Sequence, residues 1–280
     1  MNRNCNLILI PVILILAGCA TLQPVREVTT KATNALILYE ELPVTYQQFC
    51  EDRCQFTLAR KNQIVRDSAI DCDCKVFRQA DQATGRVYRT ITAYFKSLSE
   101  LAAGDLTTVN TKALNETIIE GNFAGLTIEK PTVNAYGALA KIVITAFTEE
   151  YRRNKLKQVI ESANPSLQVL IPVFQASLKN LTSELEFQKE RNYALYNELI
   201  RENLNSVEKN RVAREYYEQL NNIKIIEEKI ETYSSGLATI AKGHQRLFDN
   251  RDKLTGKEFI AGLAEFSGTL QDLITAFRKI

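Results

Sequence analysis

The chain has 280 residues, 45% of them hydrophobic, with 35 Lys and Arg residues, 33 Asp and Glu residues and a formal net charge of +2 at pH 7. This length suffices for one large domain or two small ones, each with a buried core. The near-neutral balance lacks the basic excess of nucleic-acid-binding domains, so the composition predicts no nucleic-acid partner.

The first 18 residues have the pattern of a secretory signal peptide. One positive charge, Arg3, precedes an apolar run over residues 7–16, and the small residues Ala17 and Gly18 follow. A basic start, an apolar core of about 7–15 residues and small residues before the cleavage site are typical of such peptides. The apolar run is shorter than the roughly 20 residues of a membrane-spanning helix. We therefore expect residues 1–18 to be removed.

Leu16, Ala17, Gly18 and Cys19 resemble the lipobox of bacterial lipoprotein precursors, in which two small residues separate a leucine from a cysteine. This resemblance implies diacylglyceryl transfer to the Cys19 thiol, cleavage before Cys19 and acylation of the new amino terminus. Lipid attached at two sites anchors a protein stably, whereas one chain binds weakly. Ala20 follows the cysteine, and by resemblance to the sorting rule of enteric bacteria it implies the outer membrane, facing the periplasm. The alternative is an ordinary signal peptide in which Cys19 is incidental.

Four cysteines remain after cleavage and lipidation: Cys50, Cys54, Cys72 and Cys74. An even number in an exported chain predicts two disulfides. A bridge between Cys72 and Cys74 would be strained, which leaves Cys50–Cys74 with Cys54–Cys72, or Cys50–Cys72 with Cys54–Cys74. A chain that turns near residues 61–70 and returns antiparallel favours the first, nested pairing. A four-thiolate zinc site is the alternative, but its usual CxxC spacing is missing, so we predict no metal.

The rest of the chain has a helical pattern, because glycine (11) and proline (6) are sparse and no alternating β-branched run indicates a sheet. Residues 19–27 are expected to form a lipidated tether. A first helix is predicted over about residues 28–66, with a kink or break at Pro43. A second helix is predicted over about residues 74–103, with its end at Gly104.

The middle of the chain is less regular. Residues 107–121 fit a helix, and residues 121–131 fit a loop or a short extended piece. A further helix is predicted over about residues 132–160, and Asn164-Pro165 predicts a helix end followed by a new start. The basic run over residues 152–157 is expected at a helix end, where cations complement the helix dipole. Contact with anionic lipid headgroups is the alternative for this run.

Two heptad-like seams occupy the carboxyl-terminal half of the chain. Between them, residues 202–210 are polar, and we expect a hairpin turn there rather than the middle of one long helix, because each seam needs the other for burial. Thr255 is expected to cap a last helix that runs through about Arg278. The first seam consists of Leu167, Ile171, Phe174, Leu178, Leu181, Leu185, Gln188, Asn192, Leu195 and Leu199, and the second of Ile223, Ile226, Ile230, Tyr233, Leu237, Ile240, His244 and Leu247.

These patterns together predict an all-α fold. The expected architecture is an elongated up-and-down helical bundle with long antiparallel helical hairpins and a disulfide-linked hairpin near the amino terminus. Residues 28–160 would form a disulfide-containing helical region, and residues 161–280 a long hairpin plus a last helix. The two regions together are also short enough to form one domain.

Few residues offer catalytic chemistry. The only histidine, His244, lies on the second seam. At this position we expect a buried ring that is hydrogen-bonded to a neighbour. The alternative is that His244 acts as a catalytic base or a metal ligand. The sequence contains neither a nucleophile elbow nor an HExxH motif. We therefore predict no catalytic residues, no cofactor and no metal, and favour a binding protein over an enzyme.

The sequence thus predicts a membrane-anchored periplasmic lipoprotein that acts as a non-catalytic interaction or scaffold protein. Its partners would be the membrane, through the lipid anchor, and another envelope protein. A membrane-active or immunity-type protein is the first alternative, with residues 121–147 as the inserting segment, although Lys130 and Lys141 oppose insertion. A cell-envelope enzyme is the second alternative.

Overall fold

The computed structural model describes residues 22–61, 72–104, 112–145, 152–254 and 256–280. Within these ranges the chain is almost entirely helical, and its long helices run up and down beside one another. The predicted all-α architecture, an elongated up-and-down bundle with a disulfide-linked hairpin in its amino-terminal part, is confirmed.

The described residues contain seven α-helices: α1 (Gln23–Ile37), α2 (Tyr46–Arg60), α3 (Lys75–Ala103), α4 (Lys130–Thr145), α5 (Arg152–Arg201), α6 (Ser206–Asp249) and α7 (Lys257–Lys279). Two short antiparallel strands, β1 (Gly121–Phe123) and β2 (Leu126–Ile128), precede α4. Single 3-10 turns cover Leu38–Glu41 and Lys112–Asn115.

The α5–α6 hairpin is the longest part of the bundle. With 50 and 44 residues, the two helices are roughly 75 and 66 Å long at about 1.5 Å per residue. The turn between them is short, since α5 ends at Arg201 and α6 begins at Ser206. The Asn205 side chain accepts hydrogen bonds from the backbone N–H groups of Val207 and Glu208. The Glu208 carboxylate accepts one from the Asn205 N–H. This capping box fixes the start of α6 and confirms the predicted hairpin turn.

One hydrophobic core extends from Val25 to Phe277 and joins the two regions predicted from the sequence. The expected boundary at residues 160–161 lies inside α5, so a single continuous helix links them. Both seams face this core. The first seam leaves the core at its end, where Leu199 is exposed. The buried seam positions are Leu167, Ile171, Phe174, Leu178, Leu181, Leu185, Asn192, Ile223, Ile230, Tyr233, Leu237, Ile240, His244 and Leu247.

The amino-terminal helix begins earlier than predicted. α1 starts at Gln23, so the tether expected over residues 19–27 and the helix start expected at Val28 are both corrected. Pro24 suits the first turn because that position needs no backbone donor, and Val25 is 0% exposed in the core. Pro43 breaks the predicted first helix, since the chain is extended at Leu42 and Thr45 before α2 begins.

A β-hairpin replaces part of what was expected to be helix or loop. The prediction of a helix over residues 107–121 is wrong in its described part, which has one 3-10 turn and then non-helical chain. Ala124 and Gly125, with φ of 48° and 84°, form the two-residue turn between β1 and β2. Strands of three residues are too short to show an alternating pattern, and the turn lacks the Asn-Gly signature of hairpins. The strands agree with the short extended piece that was one alternative for residues 121–131, whereas their pairing into a two-stranded sheet was not expected.

Two predictions about α4 and α5 are also wrong. The helix predicted over residues 132–160 is two helices, because α4 ends at Thr145 and packs against α5. Conversely, α5 continues through Pro165, where a stop was predicted, and through Pro172. A proline inside a helix costs about 3 kcal/mol. Burial of Ala163 and Leu167, on either side of Pro165, offsets that cost. Such burial depends on the other helices of the bundle, so the local sequence pattern does not reveal it.

α6 and α7 approach each other closely at Gly243. A Cβ atom at this position would lie only 2.0 Å from the Phe266 ring. We expect Gly243→Ala to lower the free energy of unfolding by roughly 2–3 kcal/mol, because the ring or all of α7 must move. Gly236→Ala on the same helix is the matched control: its Cβ meets no atom within 4 Å, so this variant should be equally or more stable. Urea unfolding of both variants measures the difference, and equal stabilities would contradict the close packing.

Candidate interaction surface

The residues predicted for lipid attachment cannot be placed in the fold. Leu16, Ala17, Gly18 and Cys19 lie outside the described residues, as does Thr255, the predicted cap of the last helix. The residue preceding α7 is Gly256, which makes no side-chain cap. Among the described helices, none is both long and apolar enough to cross a membrane.

The four remaining cysteines form two disulfides, Cys50–Cys74 and Cys54–Cys72. This nested pairing is the one that the antiparallel return predicted. The bonds join the middle of α2 to the segment that begins α3. In the part of the chain that the structure describes, no group of three or more His, Cys, Asp or Glu residues is arranged to hold a metal ion.

α2 is held against the α5–α6 hairpin on one side. Arg60 pairs with Glu198 of α5 at 2.7 Å, and Arg53 pairs with Glu184. The guanidinium of Arg191 lies 5.2 Å from the centre of the Phe56 ring, a cation–π contact. These contacts hold α2 along the last turns of α5 as far as Glu198, seven residues before Asn205.

His244 lies at the centre of a buried hydrogen-bond chain. Its Nε2 is 2.6 Å from the Tyr94 hydroxyl, and its Nδ1 is 3.0 Å from Oδ1 of Asn164. All these groups are satisfied if Tyr94 donates to Nε2 and Nδ1–H donates to Asn164. The Asn164 amide in turn donates to Gln245 at 3.1 Å. The expected buried ring, bonded to its neighbours, is confirmed.

The surroundings of His244 suit a structural role better than a catalytic one. The residue is 1% exposed, and burial lowers the pKa of its imidazole to about 3, so the ring is neutral at pH 7. Both ring nitrogens already have partners, and the edge of Phe95 covers another side. A general base must reach a substrate proton, and this ring has no open side from which a substrate could approach. The contacts join α3, α5 and α6 in one register.

A partly exposed aromatic cluster lies near the tip of the α5–α6 hairpin. It consists of Tyr193, Tyr196, Tyr216 and Tyr217, of which Tyr196 is buried, and we call it the tyrosine surface. Tyr216 is central, with ring centres 6.4, 5.7 and 5.2 Å from those of Tyr193, Tyr196 and Tyr217. Tyr193 and Tyr217 are 56% and 61% exposed. The rings border a shallow cavity of about 210 Å³.

Hydrogen bonds between α5 and α6 fix the floor of the tyrosine surface. The Tyr196 hydroxyl donates to Glu215 at 2.9 Å and accepts from Gln219 at 2.8 Å. Burial and the bond to Glu215 raise the pKa of Tyr196 to about 12, so the hydroxyl keeps its proton. Gln219 also accepts from Asn192, one of the polar seam positions. The buried Tyr196 ring is therefore fixed before any partner binds, and the Tyr216 ring packs beside it.

Further apolar side chains extend the exposed area around the tip. Large aromatic and aliphatic side chains left in solvent on a soluble protein often mark an interaction site. Tyrosine is also among the residues that contribute most energy at protein interfaces. The exposed neighbours in this part of the hairpin are Phe187, Leu199, Ile200 and Val207.

A second open feature lies between α5 and α6, nearer the middle of the hairpin. It is a groove of about 790 Å³ whose lining includes Ala176, Ser183, Ser234 and Glu231. Small and polar side chains of this kind offer few strong contacts, whereas the tyrosine surface offers the two exposed rings of Tyr193 and Tyr217 and part of the Tyr216 ring. The tyrosine surface is thus the better candidate for recognition.

Comparisons with known protein families, with curated proteins and with solved structures found no match. The assignment of a site therefore depends on geometry alone.

The tyrosine surface was not predicted from the sequence. A signal was present, because Tyr193 and Tyr217 each lie twelve residues from Asn205, on opposite sides of the turn. An antiparallel hairpin brings such positions together. The prediction of the turn at residues 202–210 could therefore have led to the pairing of these tyrosines.

Proposed function

We propose that this protein is a lipid-anchored lipoprotein of the bacterial cell envelope that binds another envelope protein through the tyrosine surface. The observation that carries the proposal is an exposed aromatic patch, packed on the fixed ring of Tyr196, near the tip of a hairpin roughly 75 Å long. The lipobox resemblance of residues 16–19 supports the anchor and the outer membrane facing the periplasm. The proposed role is scaffolding or recognition, without catalysis.

The position of α1 supports a short, direct anchor. Its first residue, Gln23, is four positions after Cys19, and four residues span at most about 14 Å. The body of the bundle would therefore begin close to the membrane. The tip at Asn205 would lie far from it, where the tyrosine surface can meet a partner that the lipid itself cannot reach.

The membrane-active alternative has less support. Its inserting segment would include α4, yet Leu139 and Val143 of α4 are fully buried against the bundle. α4 also packs on α3 and α5, so release of the segment would expose much of the core. A central buried helix fits these contacts better than a mobile membrane anchor.

The anchor is tested by Cys19→Ser. We expect the wild-type protein to stay in the membrane fraction and to carry the mass of attached lipid, because a thioether to lipid requires the cysteine thiol. The variant should lose both properties. The measurement is intact-protein mass from isolated membranes, with Cys5→Ser in the predicted signal peptide as the matched control. A soluble, unmodified wild-type chain would refute the anchor.

The tyrosine surface is tested by photo-crosslinking in intact cells. A photoreactive phenylalanine analogue in place of Tyr217 should give one discrete adduct, and the same analogue in place of the exposed Ile225 should give none. Tyr193→Ala should weaken the adduct tenfold or more, since loss of a central interface tyrosine costs about 2 kcal/mol. Thermal unfolding should be unchanged, because Tyr193 is exposed. An adduct that is insensitive to Tyr193→Ala would place the partner elsewhere.

A further inference from the structure

The register of α1 and α7 shows which part of the bundle lies level with Gln23, the start of α1. Ser267 of α7 donates a hydrogen bond to Glu27 at 3.2 Å, and Lys31 donates to Gln271. Both helices advance by four residues between these contacts, so they run parallel and Gln23 lies level with Leu263. The first turns of α7 are therefore the part of the bundle nearest the proposed lipid attachment.

A cavity of about 260 Å³ opens at this end, between the last turns of α6 and the first turns of α7. Its lining combines one cation, Arg246, with the amide of Asn250 and the apolar side chains of Phe259 and Leu263. Gly262 contributes empty space, since a Cβ atom there would meet nothing within 4 Å. A cationic edge over an apolar floor suits a molecule that has an anionic group joined to hydrocarbon.

Unpaired cations lie at the same end of the bundle as the cavity. Arg26, Lys253 and Lys257 are exposed there, and none of them makes an ion pair within the described ranges. Two other cations there are paired, Lys157 with Asp252 and Arg251 with Glu161 at 3.5 Å. The carboxylates of Glu27 and Asp249 also lie at this end, where they accept hydrogen bonds from Ser267 and Gln245. Among the described residues that line the cavity itself, only Arg246 is charged.

The position of the basic run at the start of α5 corrects an expectation. The run over residues 152–157 was predicted at a helix end, where the dipole favours cations, but it forms the first turns of α5. Cations at a helix start are unfavourable by a few tenths of a kcal/mol each, so the helix dipole does not explain the run.

We infer that the cavity lined by Arg246, Phe259 and Leu263 binds the headgroup of an anionic phospholipid in the membrane that holds Cys19. The Arg246 guanidinium would receive the phosphate, and Phe259 and Leu263 would pack on the glycerol and the first acyl carbons. Zwitterionic headgroups carry an ammonium group that the neighbouring lysines repel. This inference rests on the proposed anchor, which brings the cavity to the lipid surface.

The test uses the mature protein purified from membranes and placed in nanodiscs of phosphatidylcholine with 30% phosphatidylglycerol. Native mass spectrometry of the released protein counts the lipids that stay bound. We expect at least fivefold more phosphatidylglycerol than phosphatidylcholine per protein, after correction for the lipid ratio. Intact mass in the same spectra reports the lipid on Cys19 separately.

Two variants alter the cavity in different ways. Arg246→Gln removes the cation, and Gly262→Leu fills the space while leaving the charge unchanged. Both positions tolerate the change, because Arg246 is exposed and a leucine favours the helix more than glycine does. Arg214→Gln, an exposed site near the hairpin tip, is the control with the same charge change. We expect the first two to abolish the preference and the control to keep it.

Each outcome has a definite meaning. Equal retention of the two lipids by the wild type overturns the inference, as does a preference that survives both cavity variants. If Cys19 carries lipid and no preference is seen, the anchor stands and only the headgroup site fails. If Cys19 carries no lipid, the proposed anchor fails, and the lipid counts still decide whether the cavity binds phosphatidylglycerol.

Discussion

Lowering the pH from 7 to 4 is expected to reduce the free energy of unfolding by on the order of 3 kcal/mol, because the native protein excludes a proton from His244. The unfolded imidazole binds a proton near its ordinary pKa of 6.5, whereas burial lowers the pKa of the native imidazole to about 3. The unfolded state therefore binds more protons between these values. Stability is present in full above pH 6.5 and is lost by roughly 1 kcal/mol per pH unit as the pH falls toward 3.

The measurement is urea unfolding across this pH range, with His244→Gln as the comparison. Glutamine keeps a polar group near Tyr94 but cannot titrate. We expect this variant to be less stable at pH 7 and to have a shallower dependence on pH. Burial raises the pKa of Asp81, which favours the native state in acid, but this contribution is the same in both proteins. Parallel pH profiles would show that His244 is already protonated or exposed.

Removal of the Cys50–Cys74 disulfide is expected to lower the free energy of unfolding by about 3 kcal/mol. The bond closes a loop between residues 24 apart, so its loss frees the unfolded chain. The ion pairs of Arg53 and Arg60 with α5 and the Cys54–Cys72 bond remain in the variant, so the loss affects mainly α2. We expect α2 to open locally before the whole bundle unfolds.

The double variant Cys50→Ala with Cys74→Ala measures this effect and tests the pairing at the same time. With the nested pairing, Cys54 and Cys72 stay bonded, and the variant has no free thiol apart from any on Cys19. With the rival pairing, both disulfides would be lost and two further thiols would appear. Hydrogen exchange should accelerate in α2 and stay slow around Leu178 of α5. Unchanged exchange in α2 would mean that the disulfide adds nothing to the packing.

The regular parts of the fold could be predicted from the sequence because each long seam is a local pattern. Leu167 through Leu185 repeat at three- and four-residue spacing, and that spacing specifies one buried helix face wherever the helix packs. The nested disulfides followed from the short segment between Cys54 and Cys72. These predictions needed only the spacing of residues that are close in sequence and the antiparallel return of the chain.

The errors have a different physical origin. The path of α5 through Pro165 depends on the core against which Leu167 packs, and the strands around Gly125 depend on burial of Leu126 and Ile128. Both are tertiary effects that override local preference. The tyrosine surface was missed for a related reason. Its four rings come from two helices, and they become neighbours only after the register about Asn205 is fixed.

The seven-residue repeat of the seams means that the hairpin can change length only in discrete steps. Removal of seven residues from each of α5 and α6 keeps the remaining seam positions opposite their partners. Each such paired removal shortens the hairpin by about 10 Å. Because α2 contacts α5 as far as Glu198, a shorter hairpin also needs a new seat for α2. The hairpin is therefore a spacer with discrete lengths, which would set how far from its base the protein meets the proposed partner.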